Sequence, residues 1–263
     1  MSTPLAPPIG PPDADDLLVP LPTVGRTFTG RRRVRLGDVS PNGRLRLDAL
    51  ARFVQDVSND DTVDAGLHDD MAWVVRRTVF DVHAEARLRE ALELTTFCGG
   101  TGGRWAERRV SVRGEHGAHI ETATLWVHLD MATGRPVRLP TQFHEIYDEA
   151  AGGRTVRAKL RHDSSPDQDG SRVPWPLRFV DFDVLDHVNN AVAWAAVEEE
   201  RAGRKHLRAP VRAEVEYRDA IERGDTVSRV ARDHDAGGLS VWLADEQRPD
   251  RVFVTARVFP LTG

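Results

Sequence analysis

The stretch Asp181-Phe182-Asp183-Val184-Leu185-Asp186-His187-Val188-Asn189-Asn190 gathers three carboxylates, one imidazole and two amides between two apolar segments, residues 177–180 and 188–197. Read as a strand entering a helix, it is a junction where side chains converge and the free N–H groups of a helix start point outward. His187 with Asp183 suits general acid–base work near neutral pH. The competing assignment is an N-cap, because Asp181, Asp183 and Asp186 can each offer an oxygen to those free amides. Asp186 is assigned to the cap; for Asp183 both assignments stand on the residues alone.

Working outward, the junction is preceded by a strand over 172–180 and followed by a helix from 190 to about 208. Strands over 211–217, 226–232, 239–244 and 251–259 come next. The first half has the same order. A strand over 27–36 precedes a helix with Leu47, Leu50, Val54 and Val57 on one face and Asp48 as its cap. Strands over 73–82, 92–97, 105–112 and 120–129 follow, then a short helix over 140–150. Each half is therefore a strand, one long helix and about four strands. A duplicated unit of this kind is α+β, a long helix against an antiparallel sheet, and two such sheets can pair edge to edge around their helices. The boundaries expected are a Pro-rich flexible tail (1–25), a first domain (26–150), a Gly/Asp/Ser-rich linker (151–170) and a second domain (171–263). Matching Asp38-Val39 to Asp183-Val184 leaves a His only in the second junction, which places a single reactive centre in the C-terminal half.

Composition narrows the function classes. A net charge of -5 argues against nucleic acid as the main partner. The one cysteine, Cys98, allows no intramolecular disulfide and no Cys-based metal site, and it reads as packed rather than reactive. No apolar run approaches membrane-spanning length and no signal pattern opens the chain, so a cytoplasmic protein is expected. Gly99-Gly100-Thr101-Gly102-Gly103 lacks the lysine of a phosphate loop and reads as a hairpin turn. There is no Gly-x-Ser-x-Gly elbow.

Other polar residues stand in telling phases. Val211, Ala213, Val215 and Tyr217 alternate with Arg212, Glu214, Glu216 and Arg218, and Asp219 continues the inward phase. Val188, Val192, Ala195 and Glu199 share a helical face, which turns Glu199 toward the core and leaves Glu198 and Glu200 in a solvated acidic face. Arg201, Arg204, Lys205 and Arg208 form one basic stripe, either a dock for an acidic partner or cations stabilising a helix C-terminus. Arg31, Arg32, Arg33, Arg108 and Arg109 read as solvated.

These residues together resemble the acyl-acyl-carrier-protein (acyl-ACP) thioesterases of fatty-acid synthesis, a family of two fused hot-dog domains. The likeness covers residues 27–258. It is carried by Arg35-Leu36-Gly37-Asp38-Val39 with Gly43-Arg44-Leu45, by Trp73-Val74-Val75-Arg76-Arg77 and by Ala123-Thr124-Leu125-Trp126-Val127. It continues in Asp181 to Val184 with His187-Val188-Asn189-Asn190, and in Val215-Glu216-Tyr217-Arg218. The resemblance implies an acyl-chain pocket largely in the first domain and catalysis in the second. Asp183 would be general base or nucleophile, His187 would position the thioester, and Asp219 would order water. Asn189 and Asn190 would contact substrate, and amides around His187 to Asn189 would hold the oxyanion. The family motif Asp-x-Asn-x-His has Leu185 in its Asn place here. The plant enzymes' Glu-Cys pair is Asp219-Ala220, so a Cys nucleophile there is impossible. The implied reaction is hydrolysis of fatty acyl-ACP to free fatty acid, with no cofactor. Acyl carrier protein is the partner, with Arg201, Arg204, Lys205 and Arg208 as a possible dock; no nucleic acid or membrane is involved, and the protein is a monomer or homodimer. The alternatives are an acyl-CoA thioesterase on the same fold and an acyl-binding module weakened in catalysis, which Leu185 and Ala220 favour.

Overall fold

Period-2 apolar patterns lay down the strands, and apolar faces at helical spacing lay down two long helices. The computed structural model describes residues 18–67, 72–166, 171–235 and 237–261. Its first half runs β1 (Thr27–Arg33), α1 (Leu47–Asp64), β2 (Ala72–Ala84), β3 (Ala91–Thr101), β4 (Trp105–Gly114), β5 (His119–Leu129) and α2 (Thr141–Ala151). The second runs β6 (Arg172–Pro174), α3 (Asn190–Ala202), β7 (Val211–Tyr217), β8 (Val227–Asp233), β9 (Leu239–Asp245) and β10 (Val252–Pro260). The strands form one sheet in the order β1-β3-β4-β5-β2-β7-β10-β9-β8-β6, so the two half-sheets do join edge to edge in an α+β fold. The seam is β2 against β7, antiparallel from Arg77 opposite Glu216 to Val82 opposite Val211. Both long helices lie against the sheet, and one apolar core runs across the seam: Leu50 and Val54 of α1, Trp194 and Val197 of α3, Phe80 of β2 and Val215 of β7. Trp194 stacks on Phe80 with ring centroids 4.2 Å apart.

Several local expectations are corrected. The segment over 172–180 is a strand only to Pro174, and Phe179–Asp181 is a 3-10 turn. Asp181 closes it by accepting the Arg178 N–H at 2.8 Å, a capping box that outcompetes an apolar strand whose Phe179 and Val180 remain exposed. The same turn at Leu36–Asp38 cuts β1 short. Asp48 is not the cap of α1: Arg46 holds that position, and Asp48 accepts from Arg46 and Arg52 inside the first turn. Gly99 and Gly100 belong to β3, at a bulge, where a Cβ would stand 2.7 Å from the Arg109 side chain and 2.8 Å from that of Val156. Arg108 and Arg109 are not solvated but turned onto Asp61 and Glu107.

Residues 1–17 of the expected tail and 167–170 of the expected linker lie outside the described residues. The rest of the linker is a strap lying on the sheet. The Val156 N–H donates to the Thr101 carbonyl (3.0 Å), and Trp105 Nε1 donates to the Val156 carbonyl (2.9 Å). Amides of Arg161 and His162 donate to the fully buried Glu216, and His162 Nε2 lies 3.2 Å from Glu214. Arg212, also buried, pairs with Asp81 across the seam. The polar phase of β7 is thus covered and satisfied, as it must be, because an ionised carboxylate buried without partners costs far more than a neutral polar group.

Replacing Phe80 by Ala is expected to cost about 3–5 kcal/mol. Chemical denaturation should show it, with both halves unfolding in one transition because their core is shared.

Candidate active site

The two junctions are built alike, but in a register different from the Asp-Val match. Asp181 repeats Asp38 and His187 repeats Arg44, each 143 positions on. The hydrogen bonds establish this. Arg35 N–H donates to the Asp38 carboxylate as Arg178 N–H does to Asp181, both at 2.8 Å. Ser40 N–H donates to the Arg44 carbonyl (2.9 Å) as Asp183 N–H does to that of His187 (2.8 Å). Arg46 N–H donates to the Asp38 carbonyl (2.9 Å) as Asn189 N–H does to that of Asp181 (2.8 Å). Asp183 therefore corresponds to Ser40, not to Asp38. Each turn needs one left-handed residue, Gly43 (φ 80°) in the first and Asp186 (φ 59°) in the second. Asp186 is consequently not a helix cap. Its carboxylate faces Arg223 (2.9 Å), which holds it below the usual carboxylate range. The cap of α3 is Asn189, whose Oδ1 accepts the Ala191 N–H at 2.9 Å.

Asp183 Oδ1 accepts the amides of Leu185 (2.9 Å) and His187 (3.3 Å). Its Oδ2 has no partner among the described residues. The amides expected to hold an oxyanion are already committed: His187 to Asp183, Val188 to the Ile221 carbonyl and Asn189 to the Asp181 carbonyl. Asn190, the first residue of α3, is different. Its N–H has no partner among the described residues, while its carbonyl accepts the Tyr217 hydroxyl at 2.9 Å. Burial raises the Tyr217 pKa, keeping that hydroxyl a donor.

The junction opens on a cavity of about 650 Å³. Val184, Leu185 and His187 line it from the second half; Asp183 is not among the lining residues. Its remaining walls come from the first half: Gln55, Ser58, Asn59 and Thr62 of α1, Trp73 and Val74 of β2, Cys98 of β3, Arg108 of β4, Trp126 of β5 and Phe143 of α2. Arg108 is anchored on Asp61, whose Oδ2 also accepts the Tyr147 hydroxyl (2.8 Å) and whose Oδ1 accepts from Arg26 (2.8 Å). The polar wall of α1 is legible only once the halves are aligned on Asp38 and Asp181.

Asp219 does not face inward. It is exposed past the end of β7, with Arg251 Nε at 2.7 Å. Glu199 is exposed and Glu198 buried, the reverse of the expected phase. Glu198 takes the Leu47 N–H (2.8 Å) and both Nη groups of Arg44. Nor does the basic stripe form, because α3 ends at Ala202. Arg201 is 3% exposed, against Glu198 (3.4 Å) and the Leu207 carbonyl (2.5 Å). Arg204 pairs with Asp233 and Glu200, leaving Lys205 and Arg208 exposed.

Comparison with known proteins gives a consistent outcome. The acyl-ACP thioesterase N-terminal domain profile matches residues 25–147, and the corresponding C-terminal domain profile matches 164–251. An uncharacterized protein of Mycobacterium tuberculosis is 33% identical over 227 residues, which are 85% of this chain and 89% of the relative. An acyl-ACP thioesterase of Bacteroides thetaiotaomicron superposes with a TM-score of 0.74 at 17% identity, covering 89% of this chain and 97% of that one. The 12:0-ACP thioesterase of Umbellularia californica superposes with a TM-score of 0.73 at 18% identity, covering 88% and 96%. At such identities these two structures speak for the fold, two joined hot dogs. Among the described residues no helix is long and apolar enough to cross a membrane.

Two outcomes follow from the geometry. Burial pushes the Cys98 thiol up to about 11, so a thiol reagent at pH 7.5 should label it only as the protein unfolds. Replacing Glu198 by Ala strands Arg44 and Arg201 without their shared carboxylate and should cost about 3–5 kcal/mol in a denaturation experiment.

Proposed function

The chain belongs to the acyl-ACP thioesterase family and is a thioester hydrolase, and from that premise we propose that it releases fatty acid from acyl carrier protein by Asp183-assisted attack of water. The observation that carries the proposal is the Asp183–His187 turn, set at the start of α3 with its imidazole on the wall of a first-half cavity. In this proposal residues 26–150 supply the acyl-chain pocket and residues 171–263 the reactive junction.

Asp183 has one oxygen fixed by two amides and the other without a partner among the described residues, which suits a general base. Water adds to the thioester carbon as its proton passes to Asp183. The oxyanion sits at the start of α3, where the Asn190 N–H and the helix dipole favour negative charge. Collapse breaks the C–S bond, and Asp183 returns the proton to the departing thiolate. His187 orients the carbonyl. Asn189 acts indirectly, as the cap that fixes Asn190. In this mechanism Asp219, exposed and tethered by Arg251, would order water only if the substrate reaches it. Lys205 and Arg208, beyond the end of α3, are what remains of the dock for the acidic carrier; α3 itself is roughly 20 Å long. The reaction needs no cofactor, and a cytoplasmic setting fits a carrier-bound substrate. Leu185, on the cavity wall in place of the family's Asn, favours a second reading, a pocket that binds acyl thioesters with little turnover.

With acyl-ACP as substrate and acyl-CoA in parallel, free fatty acid release should be faster from the carrier protein. Replacing Asp183 by Asn should lower kcat by about 10²–10⁴-fold with an unchanged melting temperature. Full turnover by that variant would remove Asp183 from the mechanism. Acyl-ACP that binds the wild-type chain but is never cleaved would establish the binding module instead.

A further inference from the structure

The register that pairs Asp38 with Asp181 also pairs the helices, since α1 begins at Leu47 and α3 at Asn190. Along it Glu198 of α3 corresponds to Gln55 of α1. The strand segment beside each junction repeats too. Leu45 N–H donates to the Ala86 carbonyl and Val188 N–H to that of Ile221, both at 2.9 Å, so Glu85 corresponds to Ala220.

The first junction is filled with charge. Glu198 Oε1 sits between the Leu47 N–H at the start of α1 (2.8 Å) and Arg44 Nη1 (2.9 Å), with Glu85 3.9 Å from Arg44 and 3.5 Å from Arg201. A carboxylate oxygen from across the helix pair thus occupies the helix start. At the second junction each of these groups is neutral or smaller. Asn190 N–H stands for Leu47 N–H, His187 for Arg44, Ala220 for Glu85 and Gln55 for Glu198. Gln55 and His187 both line the cavity of about 650 Å³. Neither the Gln55 side chain nor the Asn190 N–H has a hydrogen-bond partner among the described residues.

We propose that Gln55, contributed by the first half, is a catalytic residue of the second-half site, its amide Nε2–H donating to the thioester oxygen at the start of α3. This rests on the Asp183 site proposed above. The oxygen that Glu198 places at the start of α1 is the internal counterpart of the substrate oxygen. A glutamine suits the second site because a neutral amide donates to an oxyanion that a carboxylate would repel.

The test uses the full chain with acyl-ACP, comparing wild type, Gln55→Ala, Gln55→Glu and Asp183→Asn. Gln55→Ala should lower kcat by about 10²–10³-fold, the loss of one oxyanion donor, with little change in KM or melting temperature. Gln55→Glu should be slower still, because a carboxylate repels the oxyanion that the amide would stabilise. Wild-type kcat in Gln55→Ala, or a Gln55→Glu variant as fast as wild type, overturns the assignment. If Asp183→Asn is inert while Gln55→Ala is fully active, only Gln55 is lost. If Asp183→Asn is fully active, the site itself falls and the part given to Gln55 falls with it.

Discussion

The Glu198 carboxylate is the constraint around which the helix pair is organised. A carboxylate at this depth persists only when its charge and lone pairs are met, and here Arg44, Arg201 and the Leu47 N–H meet them. Those partners come from the turn before α1, from α3 itself and from the first peptide of α1. The ion cluster therefore fixes how far one helix is slid along the other. With β2 and β7 fixing the sheets at the seam, the rest of the geometry has little freedom. The start of α3 must lie over the wall of the first half, because the start of α1 is locked onto the middle of α3.

That arrangement explains why one protein has two similar junctions with opposite characters. Backbone geometry is shared down to single hydrogen bonds. The side chains decide the outcome. Arg44, Arg201, Glu85 and Glu198 make a closed, charge-neutralised plug. Asp183, His187, Ala220 and Gln55 leave an opening with a carboxylate oxygen and a helix N–H that have no partner among the described residues. Geometric constraint is concentrated at the first junction, and the features suited to chemistry at the second. Buried ion pairs are poor sources of net stability but strict enforcers of geometry, the use the first junction makes of one.

Much of this was legible in the residues. The α+β class, the duplication, strand β7 to the residue, the position of α2 and the turn carrying Asp183 and His187 all follow from periodicity and from the polar decapeptide. The misses have local causes. Val188 fits the helical phase by spacing, yet it lies in a bridge before the helix, paired with Phe182; a period begun there is shifted and exchanges Glu198 with Glu199. The Asp-Val pairs matched by coincidence, while the true repeat is marked by the acid of a capping box. The apolar run at 177–180 obeys that same capping box rather than its hydrophobicity. The basic stripe assumed a helix continuing through Gly203, where α3 has already ended. The cavity walls and the burial of Arg108 depend on partners more than thirty residues away, which no local pattern encodes.

The strap over residues 152–166 has an evolutionary consequence. An assembly of two identical units presents the same residue at both symmetry-related positions, so any change that plugs one junction plugs the other. Joining the units through a strap that also seals buried Glu216 makes the copies inseparable and independently heritable. One copy can then drift toward an inert ion cluster while its twin is tuned for substrate. Arg44 and His187, at matching places in the two junctions, show how far the copies have diverged.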